Sequence, residues 1–83
     1  MRRFILTLAC PDRPGVVAAV SGLIARMNGS ITEAAQHSDD VERWFFMRVE
    51  VLADSLPQGL EAFHTEFAPI ADSFQMRWSL SDT

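Results

Sequence analysis

The chain has 83 residues, of which 48% are hydrophobic, and this length and composition predict one small folded domain with a modest core. Its formal net charge of -4 argues against nucleic acid as a partner, because nucleic-acid-binding proteins usually carry a basic patch. No apolar run is long enough to cross a membrane as a helix, and no signal peptide is visible. The single cysteine, Cys10, cannot form an internal disulfide, which is consistent with the reducing cytoplasm.

The chain begins with an apolar run that predicts a central strand over residues 3–10. Alternate side chains of this strand would face the core: Phe4, Leu6, Leu8 and Cys10. Apolar residues then recur at helical spacing: Val16, Val17, Val20, Leu23, Ile24 and Met27. They predict a first helix over residues 14–27, which ends at Asn28-Gly29, a pair typical of a left-handed helix exit.

The connection between this strand and this helix is the main candidate binding site. Two prolines and a glycine lie within residues 11–15 and predict a tight turn. Asp12 is predicted to be the N-cap of the helix, with Gly15 in its first turn. Unpaired N–H groups at a helix start attract carboxylates, and the Asp12 carboxylate is suited to an ammonium group. The loop therefore fits a small zwitterion, such as an amino acid.

Two further strands are predicted in the middle of the chain. Residues 31–37 contain only three apolar side chains, which is typical of an edge strand. Residues 38–40 are predicted to form a turn. Residues 43–53 give the clearest strand, with alternate side chains toward the core: Phe45, Met47, Val49 and Val51. The opposite set faces away from that core: Trp44, Phe46, Arg48 and Glu50.

A second helix and a last strand are predicted to complete the chain. Ser55 and Gln58 form a capping-box pattern, and apolar residues follow at helical spacing. Pro69 lies inside this run and is expected to kink or split the helix, because proline removes an N–H and crowds the preceding turn. Residues 76–80 alternate between apolar and polar and predict a fourth strand, and residues 81–83 a frayed tail.

The order strand, helix, strand, strand, helix, strand predicts an α+β fold, the ferredoxin-like βαββαβ sandwich. In this fold, one four-stranded antiparallel sheet carries both helices on one face. The other face, which we call the open sheet face, would carry Trp44 and Phe46. Because so apolar a surface is unfavourable in water, we expect the open sheet face to pack on another domain or on another copy of the chain.

Several segments resemble a known family. The run Cys10-Pro11-Asp12-Arg13-Pro14-Gly15 resembles the start of an ACT domain. The run Phe45-Phe46-Met47-Arg48-Val49-Glu50 narrows the resemblance to the N-terminal ACT domain of bacterial formyltetrahydrofolate deformylase. Phe67-Ala68-Pro69-Ile70-Ala71 and Met76-Arg77-Trp78 resemble the same family. The resemblance covers essentially all of residues 1–83, as a single ACT domain.

The resemblance implies a two-part enzyme, in which the ACT domain precedes a larger formyltransferase-like domain. Such an enzyme hydrolyses 10-formyltetrahydrofolate to formate and tetrahydrofolate, in one-carbon metabolism and purine synthesis. The family's catalytic residues belong to the larger domain, so none of residues 1–83 is expected to be catalytic, and no cofactor or metal is expected. The chain would be either a fragment of the hydrolase or a free-standing ACT protein.

The resemblance also implies a regulatory site. ACT domains bind amino acids at the loop after the first strand, often across a dimer interface, and this family is associated with glycine and methionine. By position, Asp12 would face the ligand ammonium, and the backbone around Pro14, Gly15 and Val16 would receive its carboxylate. The other implied contacts are Arg13, Ser30 and Ile31. Ser30 stands where many relatives have asparagine, so it offers one hydrogen-bond donor rather than two.

Other functions remain open from the residues alone. The domain could be a structural module that pairs subunits and binds nothing small. Acylphosphatases share the topology, but their phosphate-cradling glycine loop and separate asparagine are not evident here. Trp44 and Phe46 could stack on RNA bases, although this chain lacks a lysine-rich stretch. His37 and His64 give little support for a metal site, and Cys10 is expected to be buried rather than reactive.

Overall fold

The computed structural model describes residues 3–52 and 59–82. Its elements follow the order β1 (Arg3–Pro11), α1 (Val16–Arg26), β2 (Ile31–Asp39), β3 (Trp44–Leu52), α2 (Gly59–Phe74) and β4 (Arg77–Asp82). The strands form one sheet in the order β2-β3-β1-β4, and each neighbouring pair is antiparallel. Both helices bury their apolar faces in the same core, so the ferredoxin-like α+β fold is confirmed.

The core is built by side-chain alternation along the two central strands. β1 and β3 pair from Arg3 opposite Leu52 to Pro11 opposite Trp44. Their buried side chains are those that period-two spacing predicts: Phe4, Leu6, Leu8, Cys10, Phe45, Met47, Val49 and Val51. The helices complete the core with Val16, Val20, Leu23, Ile24, Phe63, Phe67 and Ala71. In the part of the chain that the structure describes, no polar or charged side chain is buried, so apolar burial stabilises the domain.

Both helices end in a Schellman motif. Asn28 adopts a φ of 62°, its N–H donates to the Ala25 carbonyl at 3.0 Å, and the Gly29 N–H donates to the Ile24 carbonyl at 2.8 Å. The predicted exit of α1 at Asn28-Gly29 is therefore confirmed. Gln75, with a φ of 57°, ends α2 in the same way. Neither α1 nor the described part of α2 is long and apolar enough to span a membrane.

Both edge strands are longer than the sequence predicts. β2 continues through Ser38 and Asp39, which pair with β3, so the turn follows them at residues 40–43. β4 continues through Ser81 and Asp82, which pair with the start of β1 and are not frayed. Polar residues can extend an edge strand in this way because the backbone ladder does not depend on apolar side chains.

α2 is continuous through Pro69, so this proline does not split the helix, and the alternative expectation of a kink stays a prediction. Pro69 is exposed, whereas Phe67 and Ala71 on either side of it are buried. Burial of this apolar face therefore outweighs the missing N–H and the local crowding. The predicted capping box of Ser55 and Gln58 lies outside the described residues.

Candidate functional site

The loop between β1 and α1, residues 12–15, is exposed and lies beside the turn that joins β2 to β3. The Asp12 N–H donates to the Arg43 carbonyl at 2.9 Å, which fixes the loop to that turn. A polar cleft of about 330 Å³ opens between them, and we call it the loop–hairpin cleft. Its lining residues are Asp12, Asp39, Asp40 and Arg43. Sequence reasoning missed the last three, because only the sheet register places the hairpin end beside this loop.

The hairpin residues of the cleft are held by local structure. The Asp39 Oδ1 atom accepts hydrogen bonds from the N–H groups of Val41 at 3.0 Å and Glu42 at 3.2 Å, so this carboxylate shapes the turn. Arg43 ends the turn with a φ of 54°. The cleft therefore combines carboxylates with a guanidinium, the two kinds of group that pair with the ammonium and carboxylate of a zwitterion.

Gly15, and not Asp12, is the N-cap of α1. Its φ of 91° is in the left-handed region, which glycine adopts without a steric penalty. The loop continues for two residues between Asp12 and Gly15, so the predicted Asp12 cap is wrong. Within the described part of the chain, no side chain caps α1 and its first turn holds no acidic residue, so the N–H groups at this helix start have no side-chain partner there.

Arg13 is anchored by the end of α2. Its Nη1 atom donates to the Ser73 carbonyl at 3.3 Å, and its guanidinium lies 5.1 Å from the centroid of the Phe74 ring. The Phe74 ring also lies close to Gly15, because the position that a Cβ atom would occupy at this glycine is 4.0 Å from the Phe74 Cζ atom. α2 therefore positions the loop through Arg13, and a contact between Arg13 and a ligand stays a prediction.

Ser30 and Ile31 lie at the far end of the sheet from this loop. Ile31 pairs with Val51, close to the start of β1, whereas the loop follows the other end of β1. The nine residues of β2 separate the two places, a distance of roughly 26 Å at about 3.3 Å per residue. One chain therefore does not bring Ser30 and Ile31 together with Asp12, and their part in ligand binding stays a prediction.

The remaining candidate groups are one buried thiol and two imidazole rings that lie beside aromatic side chains. Cys10 is fully buried, as predicted, and burial raises the pKa of its thiol; the Asp12 carboxylate raises that pKa further, and Arg13 opposes both. The ring centroid of His37 lies 6.3 Å from that of Phe46, and that of His64 lies 4.7 Å from that of Trp78. Across residues 3–52 and 59–82, no three His, Cys, Asp or Glu side chains are arranged to hold a metal ion.

The strand order and the two helices define a domain of the ferredoxin-like α+β class, with an exposed polar cleft beside the loop after its first strand. Within that class, the sequence profile of the ACT domain matches residues 4–67, and the chain belongs to the ACT domain family.

Known proteins of two kinds are similar to this chain. Formyltetrahydrofolate deformylase from Corynebacterium sp. (strain P-1) is 39% identical over 80 residues, which are 96% of this chain and 28% of the relative. The crystal structure of formyltetrahydrofolate deformylase from Pseudomonas syringae pv. tomato str. DC3000 matches 99% of this chain and 28% of its own, with 54% identity and a TM-score of 0.96. An ACT domain protein from Streptococcus pneumoniae matches 98% of this chain and 89% of its own, with 26% identity and a TM-score of 0.79. The chain thus spans about 28% of the length of these deformylases.

Proposed function

We propose that this chain is the regulatory ACT domain of a formyltetrahydrofolate deformylase and that it binds a small amino acid, glycine or methionine. Similarity to deformylases over nearly the whole chain supports the enzyme assignment. The loop–hairpin cleft supports the ligand class, because carboxylates and a guanidinium lie there beside an uncapped helix start. The ligand ammonium would pair with Asp12, and its carboxylate would pair with Arg43 or with the N–H groups of α1.

A second copy of the chain would complete this site. β2 is an edge strand with exposed side chains, so its outer edge is available for pairing. When two copies pair β2 antiparallel about a two-fold axis, the start of one β2 lies beside the end of the other. Ser30 and Ile31 of one protomer then approach the loop of its partner. We therefore include a homodimer, with its ligand sites at the interface, in the proposal.

We include the rest of the enzyme in the proposal, because the deformylases are much longer than this chain. The proposed enzyme would have a C-terminal formyltransferase-like domain and would act in the cytoplasm. That domain would hydrolyse 10-formyltetrahydrofolate to formate and tetrahydrofolate. Amino-acid binding can regulate this reaction only if it favours one arrangement of the pair of ACT domains over another.

Titration calorimetry of the 83-residue chain tests ligand binding directly. We expect saturable heat with glycine or methionine, and at least about tenfold weaker binding by Asp12→Asn, because a charged hydrogen bond is lost. Asp72→Asn, which changes an exposed acid on α2, is the matched control and should bind as the parent does. No heat with either amino acid at millimolar concentration, or equal binding by Asp12→Asn, would contradict the proposed site.

A structural role is the second candidate, and the exposed edge of β2 favours it. In that case the domain pairs subunits and binds no small molecule. Calorimetry separates the two, with light scattering to monitor the dimer: a purely structural module stays dimeric, shows no heat with either amino acid, and keeps its dimer in the Asp12→Asn variant. A ligand-binding module also stays dimeric, but its heat of binding is reduced by that substitution.

A further inference from the structure

Phe46 lies near the middle of the open sheet face, where its side chain is 42% exposed. The strand register places Ala9 on one side of it and His37 on the other, and Arg77 lies one strand beyond Ala9. Two shallow hollows flank the phenyl ring, with volumes of about 340 Å³ and 320 Å³. Each volume lies at the lower limit of the range for small-molecule sites, roughly 300 to 1,000 Å³.

The hollow toward β4 contains polar groups next to this ring. Thr7 Oγ1 and Ser79 Oγ are 2.6 Å apart and hydrogen-bonded, and both residues line the hollow. Arg77 lines it as well, and its guanidinium has no hydrogen bond or ion pair with any residue in 3–52 or 59–82. A guanidinium without a partner among the described residues and two hydroxyl groups thus lie beside an exposed aromatic ring, so this hollow offers donors to an anion.

The hollow toward β2 extends the aromatic surface. The His37 ring stacks on Phe46 with a centroid distance of 6.3 Å and an interplanar angle of 26°. Arg48 lines this hollow and also approaches Glu50 at 3.7 Å. Among the residues that the structure describes, no aspartate or glutamate lines either hollow, although the chain carries a net charge of -4. The charge at this place therefore favours an anion, opposite to the charge of the chain as a whole.

We propose that the open sheet face binds a small aromatic carboxylate across Phe46. The aromatic ring of the ligand packs on Phe46 and His37, and its carboxylate accepts hydrogen bonds from the Arg77 guanidinium and from the Thr7–Ser79 hydroxyl pair. An aliphatic acid lacks the ring contact, and an aromatic amine has the wrong charge for Arg77. This site lies on the face opposite the helices, it is separate from the loop–hairpin cleft, and it does not depend on the proposed function.

Two probes with the same ring and opposite charge test the proposal: indole-3-acetate and tryptamine. We expect NMR titration of the 83-residue chain to show saturable shifts at open-face amides, with indole-3-acetate binding about tenfold more tightly than tryptamine. Arg77→Gln should remove that preference, and Phe46→Ala should weaken binding of indole-3-acetate about fivefold. Val41→Ala is the control, since Val41 is 90% exposed in the turn away from both hollows.

Equal binding of the two probes, an unchanged preference in Arg77→Gln, or shifts confined to the loop–hairpin cleft would overturn the proposal. A second copy is the alternative occupant of the face. If Phe46→Ala converts a dimer to a monomer in light scattering, the face is an interface between copies and the proposal is wrong. Phe46→Leu keeps apolar bulk without the aromatic ring, and it should weaken binding of indole-3-acetate while the fold remains intact.

Discussion

The thiol of Cys10 lies in the apolar core at the end of β1, where burial raises its pKa above the ordinary value. Since the thiolate is the form that attacks electrophiles, burial and the raised pKa both slow alkylation. We expect iodoacetamide to leave Cys10 unlabelled in the native chain at about pH 8 over hours and to label it fully in denaturant. Intact-mass spectrometry measures both. Rapid labelling of the native chain would show that the loop above β1 opens readily.

Glu33 and Glu50 lie directly opposite each other on β2 and β3. A hydrogen bond that the protonated Glu33 carboxyl donates to Glu50, and then the charge of Glu50, raise the pKa of Glu33, while Arg48 and Arg3 lower it by smaller amounts. Because the folded-state pKa is raised, the associated stability is present below the ordinary Glu value and is lost as the pH rises through the folded pKa. The parent should therefore lose stability relative to Glu33→Gln as the pH rises from about 4 to about 7. The difference in free energy of unfolding, variant minus parent, should become more positive over this range.

Urea denaturation of the parent and of Glu33→Gln at those two pH values measures this change. Glu66→Gln is the matched control, because Glu66 is an exposed glutamate on α2, away from β2 and β3. Its difference from the parent should vary less with pH than that of Glu33→Gln. If the parent and Glu33→Gln depend equally on pH, the two carboxyl groups do not share a proton.

At the scale of single elements, α2 contains an internal proline. Pro69 lacks the N–H that would bond to the Thr65 carbonyl, and an interior proline costs a helix about 3 kcal/mol. Pro69 is exposed, so Pro69→Ala removes no buried contact and should raise the free energy of unfolding by about 1–3 kcal/mol. Urea denaturation tests this.

Pro14→Ala is the control for that measurement, because Pro14 is an exposed loop proline outside any helix. It should lower the free energy of unfolding by about 0.4–1 kcal/mol, since the unfolded chain gains freedom. A loss of stability in Pro69→Ala as well would show that the Pro69 ring makes packing contacts that outweigh its cost to the helix.

The elements also show which parts of the structure the sequence determines locally. The buried faces of β1 and β3 follow from alternation, and those of the helices follow from helical spacing, because each pattern involves only neighbouring residues. The start of α1 was not predictable in the same way: Asp12 has the typical identity of an N-cap, but Gly15 alone adopts the left-handed conformation there. The polar last residues of β2 and β4 belong to strands because they pair with β3 and β1. The identity of their side chains does not predict this pairing.

At the scale of the whole molecule, the candidate site combines local and non-local parts. The sequence predicts the loop at Asp12 because prolines and glycine surround it. It does not predict that Asp39, Asp40 and Arg43 line the same cleft, since these residues reach the loop through the register of β2 on β3 and of β3 on β1. The same register places Ser30 at the opposite end of the sheet, so the proposed site needs residues from two chains.

The proposed dimer can be tested by mixing two variants that each lack one half of the site. Each site would take Asp12 from one protomer and Ser30 from the other. Asp12→Asn and Ser30→Trp chains should therefore each bind glycine or methionine at least about tenfold more weakly than the parent when measured alone. After co-refolding in equal amounts, half of the dimers are mixed, and one of the two sites in each has both native residues. About a quarter of the parental binding capacity should return, as calorimetry would measure.

Recovery of binding in that mixture can come only from contact between chains, because within one protomer Ser30 and the Asp12 loop lie at opposite ends of β2, which is roughly 26 Å long. Pairing Asp12→Asn with Glu66→Trp, a bulky change on the exposed face of α2, is the control for the effect of added bulk. If Ser30→Trp alone binds as the parent does, Ser30 is outside the site. If both variants fail alone and mixed dimers form without recovering capacity, the two residues do not act in one site, and antiparallel pairing of β2 is the wrong arrangement.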